Sequence, residues 1–174
     1  MMLGMAKLHH YMLAFVAAGT LGFSVTSQAA NIDACHLISA DEASKIIGTQ
    51  LTVHAMDTSA AGPNAGSMCS YAGKKYSSDF MLIAGHVDYT DVAKEVASRK
   101  KEMLSDIPPG LPVPSFTDVK GLGDAAYLSK TSSYFQLHVL KHGNVIVINR
   151  NTAANAQAVE QVKQIARTAL MRLK

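Results

Sequence analysis

The chain contains no tryptophan and only six tyrosines and five phenylalanines among its 174 residues. That scarcity argues against an aromatic-lined platform for sugars or nucleobases, whose affinity comes from stacking on rings. Charge of one sign is lacking too. Sixteen Lys and Arg against thirteen Asp and Glu leave a formal net charge of +3, too little to drive binding to nucleic acid or to an anionic membrane surface. The one basic run, Arg99, Lys100 and Lys101, reads as the solvated face of a helix. No His-Glu-x-x-His and no Cys-x-x-Cys occurs, which removes the usual local signatures of a zinc protease and of a redox pair. The apolar run at the N-terminus, Tyr11 to Phe23, falls short of the roughly 20 residues that span a bilayer.

What is present begins with a three-part N-terminus. Lys7, His9 and His10 precede the apolar run, and a small polar stretch from Ser24 to Ala30 follows it, the plan of a secretory signal peptide. Ser27 and Ala29 supply the small residues a signal peptidase needs, which places the cut before Ala30. The expectation is therefore a signal peptide over 1–29 and a single exported domain over 30–174, a length that buries a real core. Cleavage removes Lys7 and leaves a charge of about +2. Ile32-Asp33-Ala34-Cys35 imitates a lipobox loosely, but Asp33 fits poorly and the apolar run ends too early. In an exported chain the two cysteines, Cys35 and Cys69, are expected to pair. Closing that loop is worth roughly 3 to 4 kcal/mol on the chain-entropy model.

Along the mature chain, Ser39-Ala40-Asp41-Glu42 is a capping box and Gly48 a left-handed stop, so a helix is predicted over 40–47. Leu51 to Met56 alternates as a half-buried strand, with Thr52, His54 and Met56 on one side. Residues 58–67 read as a loop. Strands are predicted over 68–71 and 80–89, then a helix over 91–104 capped by Thr90 or Asp91. The proline-rich run 107–114 can be neither helix nor central strand. Further strands follow over 125–128, 134–141 and 145–150, and a final helix over 156–173 carries a wide apolar stripe. Hairpin-linked strands followed by helices give an α+β fold, an antiparallel sheet with helices packed on it. The order is that of a duplicated three-strand-plus-helix unit, although no matching residues tie the halves together.

Three short motifs carry a resemblance: Cys35-His36-Leu37-Ile38-Ser39 leading into Asp41-Glu42-Ala43 and Ile47-Gly48; Ser67-Met68-Cys69-Ser70-Tyr71; and Val119-Lys120-Gly121-Leu122-Gly123-Asp124-Ala125-Ala126-Tyr127. With them the chain resembles a family of small exported bacterial proteins and lipoproteins of unknown function. The resemblance implies the disulfide, an α+β domain and a periplasmic or cell-surface address. It implies no activity and no cofactor.

Other motifs give way to plainer readings. Gly121-Leu122-Gly123-Asp124-Ala125-Ala126 has the spacing of a dinucleotide fingerprint. That chemistry needs a helix to begin there, and a strand follows instead. Ser98-Arg99-Lys100-Lys101 matches the Ser-x-x-Lys of acylating enzymes without their partner segments. His138 and His142 lie four apart on one strand face, and His54 could join them as metal ligands. A solvent-facing pair beside a turn is the commoner arrangement.

The leading expectation is a non-enzymatic periplasmic or secreted binding module for an envelope protein or cell-surface component. The competing one is a small enzyme with a cleft between the 58–67 loop and the 121–124 turn. The last hairpin makes the first concrete. If Gly143 and Asn144 form its turn, His142 pairs with Val145 and Leu140 with Val147. Leu137, Val139, Ile146 and Ile148 then face the helices. His138, Leu140, His142, Val145 and Val147 form the opposite, partly exposed face, the candidate partner surface.

Overall fold

The computed structural model describes residues 32–58, 66–73 and 78–173; the expected signal peptide, its cleavage site and most of the 58–67 loop lie outside the described residues. The fold is α+β, a seven-stranded sheet in which every neighbouring pair is antiparallel. A single 3-10 turn, Ala34–His36, precedes helix α1 (Ala40–Ile47). Strands β1 (Thr52–Met56), β2 (Ser67–Ala72) and β3 (Ser78–His86) lead to α2 (Val92–Ser105). Then come β4 (Ser115–Asp118), β5 (Ala125–Lys130), β6 (Phe135–Lys141), β7 (Asn144–Arg150) and α3 (Ala156–Arg172). Spatial order is β1-β2-β3-β7-β6-β5-β4, so two meanders meet where β3 pairs with β7.

Local chemistry places the helices as their sequences dictate. Ser39 Oγ accepts from the Glu42 amide while the Glu42 carboxylate accepts from the Ser39 amide, and Gly48 ends α1 with φ of +83°. Asp91 caps α2 by accepting from Ala93 and Lys94 N–H, and Asn155 caps α3 by accepting from Ala158 N–H. The second meander has one strand more than its sequence indicated. Ser115–Asp118 carries a single apolar side chain, Phe116, too little to register as alternation. It becomes a strand by pairing with β5.

The alternation of the strands creates two faces of different character. On the inner face Phe80, Leu82, Leu137, Val139, Ile146 and Ile148 are fully buried, packed with Val162, Ile165, Ala166 and Ala169 of α3 and with Ile38 and Ala43. The Cys35–Cys69 disulfide, with 5.1 Å between Cα atoms, ties the 3-10 turn to β2 at this core. Beside it Tyr71 stacks on Phe80 at 4.3 Å and donates from its hydroxyl to the Ile38 carbonyl at 2.7 Å. Polar side chains of α3 close the helix ends. Gln161 Nε2 donates to the Ile46 and Ile47 carbonyls, and Arg172 donates to the Leu37 carbonyl and to Glu42 Oε1. These satisfy groups that a helix terminus otherwise leaves to water.

The β6–β7 turn differs from its predicted form. Its central residues are His142 and Gly143, at φ +47° and +75°, and Lys141 pairs with Asn144, Leu140 with Val145 and His138 with Val147. Two left-handed residues in succession match the twist of a hairpin. A left-handed histidine is tolerated because Asp124, eighteen residues away in sequence, accepts the His142 backbone N–H at 2.7 Å. The displacement moves each pairing by two residues, so every side chain keeps its face. Leu137, Val139, Ile146 and Ile148 do lie under the helices.

Candidate functional site

Among the described residues, a helix covers the outer face of the sheet at one end only. Register links Met56, Met68, Ile83, Val147, His138, Tyr127 and Asp118 as successive cross-strand neighbours from β1 to β4. At the β4–β5 end α2 packs over this row. Lys100 Nζ sits 5.0 Å above the Tyr127 ring and 5.8 Å from Phe116, and binds Asp118 at 2.8 Å. Met103 meets the Tyr127 hydroxyl through its sulfur. Tyr127 in turn stacks on His138 with ring centroids 4.6 Å apart. Burial holds the His138 imidazole down to about pKa 4, with the nearby Arg99 charge adding to the effect, and pushes the Tyr127 phenol up to about 12. His138 is thus neutral at physiological pH, bonded to Gln136 Oε1 at 3.2 Å.

The other end of the row has no helix over it among the described residues. Met56 is 43 % exposed, and Met68, Met81, Ile83, Val145 and Val147 are each partly exposed. Three methionines therefore stand on neighbouring strands of one open face. Around them lie His54, Ser70 and Asn149, with His54 paired to Ser70 and Asn149 to Met81. Methionine is flexible and polarizable, suited to surfaces that must fit an irregular apolar partner.

The five residues of the predicted partner surface are divided by this arrangement. His138 and Leu140 are buried, Val145 and Val147 lie half-exposed at the margin, and His142 is exposed at the hairpin tip. Partial exposure of the whole hairpin face is thus corrected for His138 and Leu140, because β5 pairs beside them and α2 crosses that end. The open surface extends the other way, to β3, β2 and β1. Met68, Met81 and Ile83 were not among the expected residues. The strand pattern placed each on a strand, but only the β3–β7 pairing, between chain segments far apart in sequence, puts them beside Val147.

The histidine triplet is not brought together either. Strands β2, β3 and β7 separate His54 from His138, and His142 sits at the hairpin tip with its Nε2 3.9 Å from Asp124. The 58–67 side of the expected cleft lies largely outside the described residues, and the 121–124 turn is tied into the fold. Leu122 is buried in the core, Gly123 lies so close to the Leu140 carbonyl that a Cβ there would approach it to 2.3 Å, and Asp124 braces the hairpin. Its carboxylate also accepts from Tyr89 Oη at 3.0 Å. The bond from the His142 amide is the main cause holding that carboxyl below its usual range. The glycine spacing serves a close turn leading into β5. Among the described residues no group of three His, Cys, Asp or Glu is placed to hold a metal ion, and no helix is long and apolar enough to cross a membrane.

No family model and no curated protein matches the chain. A solved structure from Thermotoga maritima, described as a GTP binding regulator, is similar at 12 % identity over 79 % of this chain and 91 % of that one, with a TM-score of 0.39.

Proposed function

We propose that this protein is a non-enzymatic binding module, exported to the periplasm or beyond the cell, that engages an apolar patch on an envelope protein through the open half of its outer sheet face. One observation carries the reading: Met56, Met68, Ile83 and Val147 are direct cross-strand neighbours, all at least partly exposed, with no helix of the described chain over them. A contiguous exposed apolar strip of this kind marks an interaction site more often than an accident of composition. The Cys35–Cys69 disulfide agrees with folding in an oxidising compartment. The partner is an apolar protein surface because the strip bears no formal charge and offers few polar groups to fix a small ligand.

The test uses the mature disulfide-bonded protein as bait in its native envelope extract. Val147→Lys and Met68→Lys are expected to fold with denaturation midpoints near wild type and to lose the partner that wild type retains. Retention of that partner by both variants, or collapse of their stability, overturns the reading.

A further inference from the structure

The two edges of the sheet are guarded very differently. At one edge β4 is four residues long, follows Pro112 and Pro114, and is held from above by Lys100 on Asp118. Short length, flanking proline and charge are the usual means of keeping a sheet edge from pairing with another chain. At the other edge β1, Thr52-Val53-His54-Ala55-Met56, has no proline, no lysine, no formal charge and no bulge in its pairing with β2. Four of its five residues are exposed. Among the described residues no strand pairs with its other side, and a strand this regular offers a row of backbone donors and acceptors to another strand.

We propose that β1 pairs antiparallel with β1 of a second copy of this chain, about a two-fold axis through His54, joining two seven-stranded sheets into one. The sequence is self-complementary in that register. Thr52 falls opposite Met56 of the copy, Val53 opposite Ala55, and His54 opposite its own counterpart. Extending the ladder sets Asp57 against Leu51, so like charges never meet. The outer faces stay on one side because paired residues have matching parity, with Thr52, His54 and Met56 of both copies outward. Each methionine strip then continues up to the junction. The inference is independent of what the outer face binds. An interface built on a ladder this short is small against the roughly 1,000 Å² of a stable assembly, so the dimer forms with concentration.

Sedimentation equilibrium on the mature disulfide-bonded chain, taken up to about 1 mM, the range of weak association, tests it. Wild type is expected to rise from monomer toward twice that mass. His54→Lys, which sets two ammonium groups opposite each other at the axis, is expected to stay monomeric, and Ile83→Lys, away from the edge, is expected to dimerise as wild type does. Amide exchange gives the second readout: the outward N–H groups of β1 should be protected in concentrated wild type and exposed in His54→Lys. A wild type that stays monomeric overturns the proposal. So does dimerisation of His54→Lys, loss of the dimer in Ile83→Lys, or protection of the outward β1 amides in a monomer.

Discussion

The two faces of one sheet divide the labour of this molecule. The inner face is a close-packed core, with every large apolar side chain of β6 and β7 that points toward α3 fully buried and the disulfide fastened at its margin. Among the described residues the outer face is covered by α2 alone, which buries none of its own residues completely, and at the β4–β5 end. Alternation along a strand does not tell the faces apart in advance. Val147 and Ile148 are adjacent and similar in chemistry, yet one lies half-exposed and the other is sealed. What separates them is the distribution of helices among the described residues. Two helices and the 3-10 turn go to the inner side and one to the outer, which leaves an apolar remainder with no described helix over it.

If stability resides on the inner face, its perturbations should be the costly ones. Cys69→Ser is expected to cost about 2 to 5 kcal/mol, the range for losing a native bridge in a small exported domain, read as a fall in the denaturation midpoint under oxidising conditions. An unchanged midpoint would show that the bridge contributes nothing. Ile148→Ala should cost about 2 to 4 kcal/mol through the cavity it leaves, whereas Ile83→Ala on the outer face should cost less than about 1.5 kcal/mol. Equal losses for the two would erase the distinction between the faces.

The outer face has a pH signature of its own. His138 is held to about pKa 4 when folded against 6.5 as a free group, so the unfolded chain binds the extra proton first as pH falls. The stability tied to its neutral form is complete above pH 6.5 and lost progressively toward pH 4, up to about 3 kcal/mol. His138→Phe should flatten that segment of the stability–pH curve, and an identical slope in the variant would show that the ring is solvated. The smallest effect belongs to the α1 cap. The Arg172 bond, with the Ser39 amide and hydroxyl, lowers Glu42 to about 2. Its contribution is present above pH 4.5 and lost as pH falls toward 2. Because the carboxylate is solvent-exposed, Glu42→Gln should cost about 1 kcal/mol or less at neutral pH.

Local grammar was legible wherever a short stretch carries its own instructions. The α1 capping box, the Gly48 stop, an α2 cap at Thr90 or Asp91 and the inward set Leu137, Val139, Ile146 and Ile148 all follow from spacing alone. What depends on distant partners was not legible. Strand β4 exists through its pairing with β5, and the hairpin turn moved one residue because Asp124 holds the His142 amide. Of the residues expected to be partly exposed, Val145 and Val147 are so, while His138 and Leu140 are buried. No periodicity shows that α2 lies over one end of a sheet whose other end reaches back to β1.

Methionine oxidation reads the openness of the outer face, because the chain carries its own control. Met56, Met68 and Met81 stand on the open outer face, while Met171 of α3 is 79 % exposed and well away from it. Under dilute peroxide, oxidation rates would be compared between the purified protein and the protein within its native envelope extract. The extract is expected to slow oxidation of Met56, Met68 and Met81 several-fold and to leave Met171 unchanged; equal rates at all four in both settings would mean that nothing in the envelope covers the outer face.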